Sequence, residues 1–295
     1  MVMSMGKDKA PGEDGIPSEV FKSLVEIFPR YMTAIYNGCL SKGTFPQRWK
    51  KALVIPITKP GKEESEEASK FRPISLLDTG GKVLEKLLIN RINHHVYSRG
   101  HMNENQFGFR PQKSTIDAAM VVKEFVEDSL AEGDVIALVS LDVQGAFDAA
   151  RWPAILKEMR DCGSPKNLYK LTKSYFTQRT AILATNSIRI EKELSRRMPQ
   201  GSCSAPGYWN LQYNPLLKIK YMDRTKVVAY ANDLILAMRG DSVRDVENYT
   251  SKENQNITVY PNNKPLKQVT QMKYLGIILD HKFRFNEHIT YAAEK

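Results

Sequence analysis

Two aspartates stand where a polypeptide can put bare carboxylates to chemical use. In Val139-Ser140-Leu141-Asp142-Val143-Gln144-Gly145-Ala146-Phe147-Asp148, Asp142 ends an apolar run; in Ala229-Tyr230-Ala231-Asn232-Asp233-Leu234, Asp233 sits in a turn-prone cluster beside an amide. Neither stretch contains His or Cys, so the implied ligand set is all oxygen and suits Mg²⁺ or Mn²⁺. A pair of such ions ~3.5–4 Å apart serves phosphoryl transfer, activating an attacking hydroxyl and neutralising the leaving pyrophosphate. Taken singly, Asp142 and Asp233 also read as ordinary turn residues. Their company decides between the two readings.

The elements that must carry them are legible from periodicity. Val135 to Val143 is a nearly continuous Val/Ile/Leu run, the pattern of a central strand buried on both faces. Lys226 to Tyr230 and Leu234 to Met238 are two further strand-like runs, separated by Ala231-Asn232-Asp233. Strand, turn, strand places the polar groups on the turn. Upstream, a helix starting at Pro17-Ser18 runs through Val20, Phe21, Leu24, Val25 and Phe28 and closes at Pro29; a second spans Tyr31 to Leu40. Ala52 to Ile57 reads as a strand in which Pro56 calls for an edge position. Val83, Leu84, Leu87, Leu88 and Ile92 share one face of a helix over 82–95, and Thr115 is placed to cap another through Ala119, Met120, Phe125, Val126 and Leu130, ending at Glu132-Gly133.

Composition bounds the partners. The 295 residues, 42% hydrophobic and 26% charged, describe about two domains' worth of globular chain rather than a disordered one. The 43 Lys and Arg against 33 Asp and Glu give +10, which favours a polyanionic partner. Cys39, Cys162 and Cys203 neither staple a secreted fold nor form a zinc site, pointing to an intracellular protein of nucleus or cytoplasm. No apolar run approaches the ~20 residues of a membrane span. His94, His95, His101, His281 and His288 lack ligand spacing with any Cys and are assigned no metal. The basic segment from Arg179 to Arg197 reads equally as a cleft lining or a solvated hairpin.

With further motifs in order, the chain resembles the reverse transcriptase domain of non-LTR (LINE-like) retrotransposons. Besides the two aspartate stretches, the resemblance is carried by Lys9-Ala10-Pro11-Gly12-Glu13-Asp14-Gly15-Ile16-Pro17, Phe71-Arg72-Pro73-Ile74-Ser75-Leu76-Leu77, Asn105-Gln106-Phe107-Gly108-Phe109-Arg110-Pro111 with Ser114-Thr115, Pro199-Gln200-Gly201-Ser202 and Tyr274-Leu275-Gly276. It implies RNA-templated extension of a DNA primer from deoxynucleoside triphosphates with two Mg²⁺ or Mn²⁺. Asp142, the carbonyl of Val143, and Asp233 match the metal ligands. Phe147 matches the ring beneath the sugar that rejects a 2′ hydroxyl; in isolation it is equally a core residue. Lys59 and Arg72 match cations on the incoming triphosphate, where Arg offers a fork of donors to phosphate. Gln200 matches a nucleotide contact, Gly201 allowing close backbone approach, and Arg110 and Lys113 match template contacts.

The implied fold is an α+β right hand. Fingers with an amino-terminal extension occupy 1–134; a palm with a small antiparallel sheet and helices behind it occupies 135–280, interleaved with fingers elements; a truncated thumb begins over 281–295, the remainder missing. Two departures bear on activity. The family places Asp where this chain has Asn232, and an amide offers a carbonyl oxygen but no charge. Between Gly240 and Met272 the chain is shorter than the family pattern, lacking a palm motif near residue 250 whose lysine is thought to protonate pyrophosphate; loss of a covering helix and strand predicts exposed apolar palm surface. The expectation is impaired polymerisation, with a catalytically dead, retroelement-derived nucleic-acid-binding protein as the alternative.

Overall fold

In chain order the elements are α1 (Ser18–Ile27), α2 (Pro29–Lys42), β1 (Lys51–Thr58), β2 (Phe71–Leu77), α3 (Thr79–Ser98), α4 (Thr115–Ala131), β3 (Val135–Asp142), α5 (Trp152–Asp161), α6 (Lys166–Phe176), β4 (Arg179–Ala184), β5 (Arg189–Leu194), α7 (Ala205–Leu217), β6 (Thr225–Tyr230), β7 (Asp233–Gly240), α8 (Val243–Asn256), β8 (Gln271–Tyr274) and β9 (Ile277–Asp280). This computed structural model describes all residues except 1, 4, 7–8, 62–66, 144, 186, 257–268, 281–289 and 292–295. The thumb expectation at 281–295 therefore lies outside the described residues, save 290–291. The chain divides into two compact units, Met1–Met102 with Gln144–Pro215, and Asn103–Val143 with Leu216–Lys295.

The first unit pairs a four-stranded sheet, ordered β2-β1-β4-β5, with a helical core. Leu84, Leu88 and Ile92 of α3 meet Ile155 and Met159 of α5 and Leu171 and Tyr175 of α6, all essentially inaccessible. That is the apolar face predicted from three- and four-residue spacing, Leu87 lying at its margin. Pro29 does not only close α1: it occupies the first turn of α2, where its missing N–H costs nothing. β1 lies between β2 and β4 rather than at the edge. Pairing to β4 covers only Lys51 to Leu53, however, so Pro56 faces Pro73 of β2 with no strand on its other side. Local rather than global edge position satisfies the proline. β4 and β5 form the hairpin expected over 179–197, but its first cation is no surface charge: Arg179 is buried, its guanidinium 4.2 Å from the Tyr175 ring centroid.

The second unit holds the antiparallel sheet β3-β7-β6 and the small pair β8-β9. The central strand is β7, not β3. Its residues Leu234 to Met238 are all at most 1% exposed, whereas β3 is an edge strand, half-exposed along most of its length. Alternation along β7 assigns each face a cover. Ile235 and Ala237 join Val228 and Val122 and Val126 of α4 in one core cluster. Met238 meets α8, where Thr250 donates to its sulfur. The expectation of bare apolar palm surface is therefore not met: α8 lies against β3 and β7. The cap of α4 is Ser114, one residue before Thr115, in a reciprocal capping box with Asp117. Register follows that cap, so Ala118, Val122 and Val126 point inward while Met120 and Leu130 remain exposed.

Candidate active site

The second unit brings the two aspartates face to face. β3 and β7 run antiparallel in a register that pairs Asp142 with Asp233, so their side chains are direct cross-strand neighbours. The β6–β7 register pairs Tyr230 with Asp233, leaving Ala231-Asn232 as a two-residue loop. Tight hairpin loops of this length need a left-handed residue, normally glycine. Here Ala231 adopts it, at φ 56°, a conformation costing ~1–2 kcal/mol for a residue with a Cβ. The loop is tied to β3 by the Val143 N–H, which donates to the Asn232 carbonyl at 3.3 Å.

Asn232 is the chemical anomaly. Its Nδ2 donates a short hydrogen bond to Oδ1 of Asp142, so an N–H occupies a carboxylate oxygen that a cation would otherwise claim. Asp233 is half-buried, and that burial, followed by the negative charge of Asp142, holds its carboxyl above the usual carboxylate range. Two like charges kept opposite one another are relieved by a hard cation between them. Two opposed carboxylates, acceptors only, fit divalent Mg²⁺ or Mn²⁺; among the described residues no third His, Cys, Asp or Glu joins them. Tyr274 adds a buried hydroxyl whose proton is held more tightly than usual by burial and by Asp233.

Arg110 and Lys113 share this unit. Arg110 is half-buried, and its Nη1 donates to the Asn103 carbonyl at 3.2 Å; Lys113 is exposed, 5.0 Å from the Phe107 ring centroid. The remaining candidates belong to the first unit. Arg72 is exposed on β2, and Lys59 follows β1, its Nζ donating to the Ser69 carbonyl at 2.7 Å. Gln200 meets β2 through its backbone, its carbonyl accepting from Ser75 N–H at 2.7 Å. Gly201 has φ 120°, and a Cβ there would come within 2.7 Å of the Ser75 carbonyl oxygen. The close approach expected of that glycine is thus an approach to strand backbone. Phe147 is half-buried against the core, edge-on to Trp209 at 6.4 Å.

Two buried polar groupings form only through contacts between distant segments. Glu85 is 1% exposed and accepts from Ser202 Oγ at 2.6 Å, with Ser204 2.9 Å beyond, placing a buried network behind the Gln200-Gly201 loop. The signal was present: Glu85 lies three residues before Leu88 and seven before Ile92, on the inward face. Gln106, within the motif at 105–111, is wholly buried.

Opposed aspartates on an antiparallel, helix-backed sheet, one at a strand end and one at a hairpin, define the palm of a nucleic-acid polymerase. The match to the family described as "Reverse transcriptase (RNA-dependent DNA polymerase)" covers residues 57–279, and the chain belongs to that family. It is 28% identical over 318 residues to a Retrovirus-related Pol polyprotein from type-1 retrotransposable element R1 of Bradysia coprophila, covering 97% of this chain and 31% of that protein. It is also 28% identical over 325 residues to the RNA-directed DNA polymerase from mobile element jockey of Drosophila melanogaster, covering 98% and 35%. The chain thus spans about a third of the curated relatives it matches. Both alignments are longer than its 295 residues, so the relatives carry residues that have no counterpart here. Among solved structures, telomerase from Candida tropicalis in complex with a TWJ fragment of telomeric RNA shares the fold at TM-score 0.59 and 10% identity, covering 90% of this chain and 48% of that one. The α+β polymerase fold and the non-LTR reverse transcriptase relationship are both established by these likenesses.

Proposed function

We propose that this domain binds a primer–template of DNA on RNA and retains the framework for adding deoxynucleotides, with catalysis strongly impaired by Asn232. The observation that carries the proposal is the Asp142–Asp233 pair, set in register by β3 and β7, with an amide beside it. Asp142, Asp233 and the Val143 carbonyl would hold the divalent ions. The chemistry that Mg²⁺ or Mn²⁺ would supply there is activation of the primer 3′ hydroxyl and charge neutralisation at the pyrophosphate. Other residues of the chain are assigned to binding the reactants. Lys59 and Arg72 hold the triphosphate, Phe147 excludes a 2′ hydroxyl, Gln200 contacts the nucleotide, and Arg110 and Lys113 follow the template backbone. The palm is assigned to 135–280 and the fingers to 1–134.

Asn232 acts on this framework in two ways. It withholds one negative charge from the ion pair, and its N–H competes for Asp142. Losing one preorganised electrostatic group commonly costs factors of roughly 10²–10³ in rate. Primer extension on an RNA template, compared between this chain and Asn232→Asp, tests the reading. Extension restored by the aspartate supports it; equal and robust extension by both proteins overturns it.

The same hydrogen bond favours a second reading, in which the domain binds nucleic acid without copying it, because Asn232 partly satisfies Asp142 without a metal. Tight, salt-sensitive primer–template binding with no extension by either protein selects that reading.

No helix among the described residues is long and apolar enough to cross a membrane.

A further inference from the structure

The loop that carries Asn232 cannot explain its own shape. Ala231 is 8% exposed and left-handed, in a hairpin position that glycine would fill without strain. Such a conformation persists only where the surroundings over-determine it. The surroundings here are the segment Asn105–Gly108, which lies beside β6 as a short parallel rung: Ala229 N–H donates to the Asn105 carbonyl at 2.8 Å, and Phe107 N–H donates to the Ala229 carbonyl at 2.8 Å.

Beyond that rung the contact passes to the loop itself. Gln106 is wholly inaccessible to solvent. Its Nε2 donates to the Ala231 carbonyl at 3.4 Å, and its Oε1 accepts from Gly108 N–H at 3.0 Å. One side chain therefore clips the catalytic loop to the turn that follows it. Gly108 completes the clip by having no side chain, since a Cβ there would stand 1.9 Å from the Ala231 nitrogen. The rung is anchored in turn by Phe107, buried in the core with Val122 and Val126.

We infer that Gln106 and Gly108 are positioning residues for the metal-binding loop, holding Ala231 left-handed so that Asp233 starts β7 opposite Asp142. This deepens the polymerase reading and rests on it for the metal. Metal-ligand geometry depends on outer contacts of this kind, whose removal typically lowers metal affinity by roughly 10–100-fold.

The test uses Gln106→Leu, which keeps the volume and loses both hydrogen bonds, and Gly108→Ala, each first shown to melt cooperatively. Hydrogen exchange at residues 230–234 and Mn²⁺ affinity by electron paramagnetic resonance are compared with the parent. Both variants are expected to exchange faster at the loop than the parent, with α4 unchanged, and to bind Mn²⁺ roughly tenfold or more weakly. Ala231→Gly, which relieves the strain, is expected to shrink the effect of Gln106→Leu; a general packing defect would add to it instead. Unchanged loop exchange in a folded Gln106→Leu protein overturns the inference, and that variant decides if Gly108→Ala does not fold. Should the parent bind no Mn²⁺, the polymerase reading fails, while loop exchange still decides the role of Gln106.

Discussion

Replacing Asn232 by Asp trades stability of the metal-free protein for metal affinity, and the trade can be sized. The substitution removes the hydrogen bond from Nδ2 to Asp142 and sets a third carboxylate beside Asp142 and Asp233. Two carboxylates ~4 Å apart repel by about 1 kcal/mol in water and about 4 kcal/mol at an effective dielectric of 20. Asp142 is exposed and Asn232 half-buried, so screening holds the repulsion near the lower figure, about 1–2 kcal/mol. The lost hydrogen bond to a charged acceptor adds about 1 kcal/mol at so open a site. Together, about 2–3 kcal/mol lowers the melting temperature in EDTA by roughly 5–10 °C. Mg²⁺ offsets this loss, because a ligand at about 100 times its Kd stabilises the folded state by about 2.7 kcal/mol. Thermal melts of both proteins across a Mg²⁺ titration at low salt read both effects. The variant should start lower and climb further. Equal melting temperatures in EDTA together with equal Mg²⁺ shifts would mean that a carboxylate at position 232 neither repels Asp142 nor joins a metal site.

Three further outcomes follow from particular residues. Gly201→Ala forces a Cβ to 2.7 Å from the Ser75 carbonyl at φ 120°, so it should lower stability by about 2 kcal/mol or more in a urea titration and weaken nucleotide binding through Gln200. Tyr274→Phe removes a buried hydroxyl with no hydrogen-bond partner among the described residues, so it should raise stability by up to about 1 kcal/mol, seen as a melting temperature ~2–4 °C higher. Asp233 titrates at a higher pH in the fold than in the unfolded chain, so its ionisation opposes folding. That penalty is full above the folded value and absent below the unfolded one. Asp233→Asn should accordingly stabilise the metal-free protein at neutral pH, with the advantage fading as melts are taken down through the carboxylate range.

Local rules made much of this molecule legible. The strand–turn–strand around Asn232 follows from two apolar runs flanking a polar cluster, and α3 follows from its spacing of Val83, Leu84, Leu88 and Ile92. What failed was rank within a sheet. A run such as Val135 to Val143 reads as central because its residues are apolar, yet β3 is an edge strand covered by α4 and α8 on its faces, and hydrophobicity does not distinguish cover by helices from cover by strands. Contacts between distant segments were also invisible. Gln106 meets Ala231 across 125 positions and Glu85 meets Ser202 across 117, so only Glu85, charged on an apolar helix face, left a trace in the pattern. Asn232 was conspicuous by type, but its donation to Asp142 required the register of β3 against β7.

If Asp142 and Asp233 hold divalent ions beside a nucleotide, Mn²⁺ binding must depend on both carboxylates. Electron paramagnetic resonance of free Mn²⁺, titrated into the protein with RNA–DNA primer–template and a deoxynucleoside triphosphate, should reveal protein-dependent ions that disappear in the Asp142→Asn, Asp233→Asn double variant and bind more tightly in Asn232→Asp. Identical Mn²⁺ binding by all three proteins would mean that the two aspartates hold no ion.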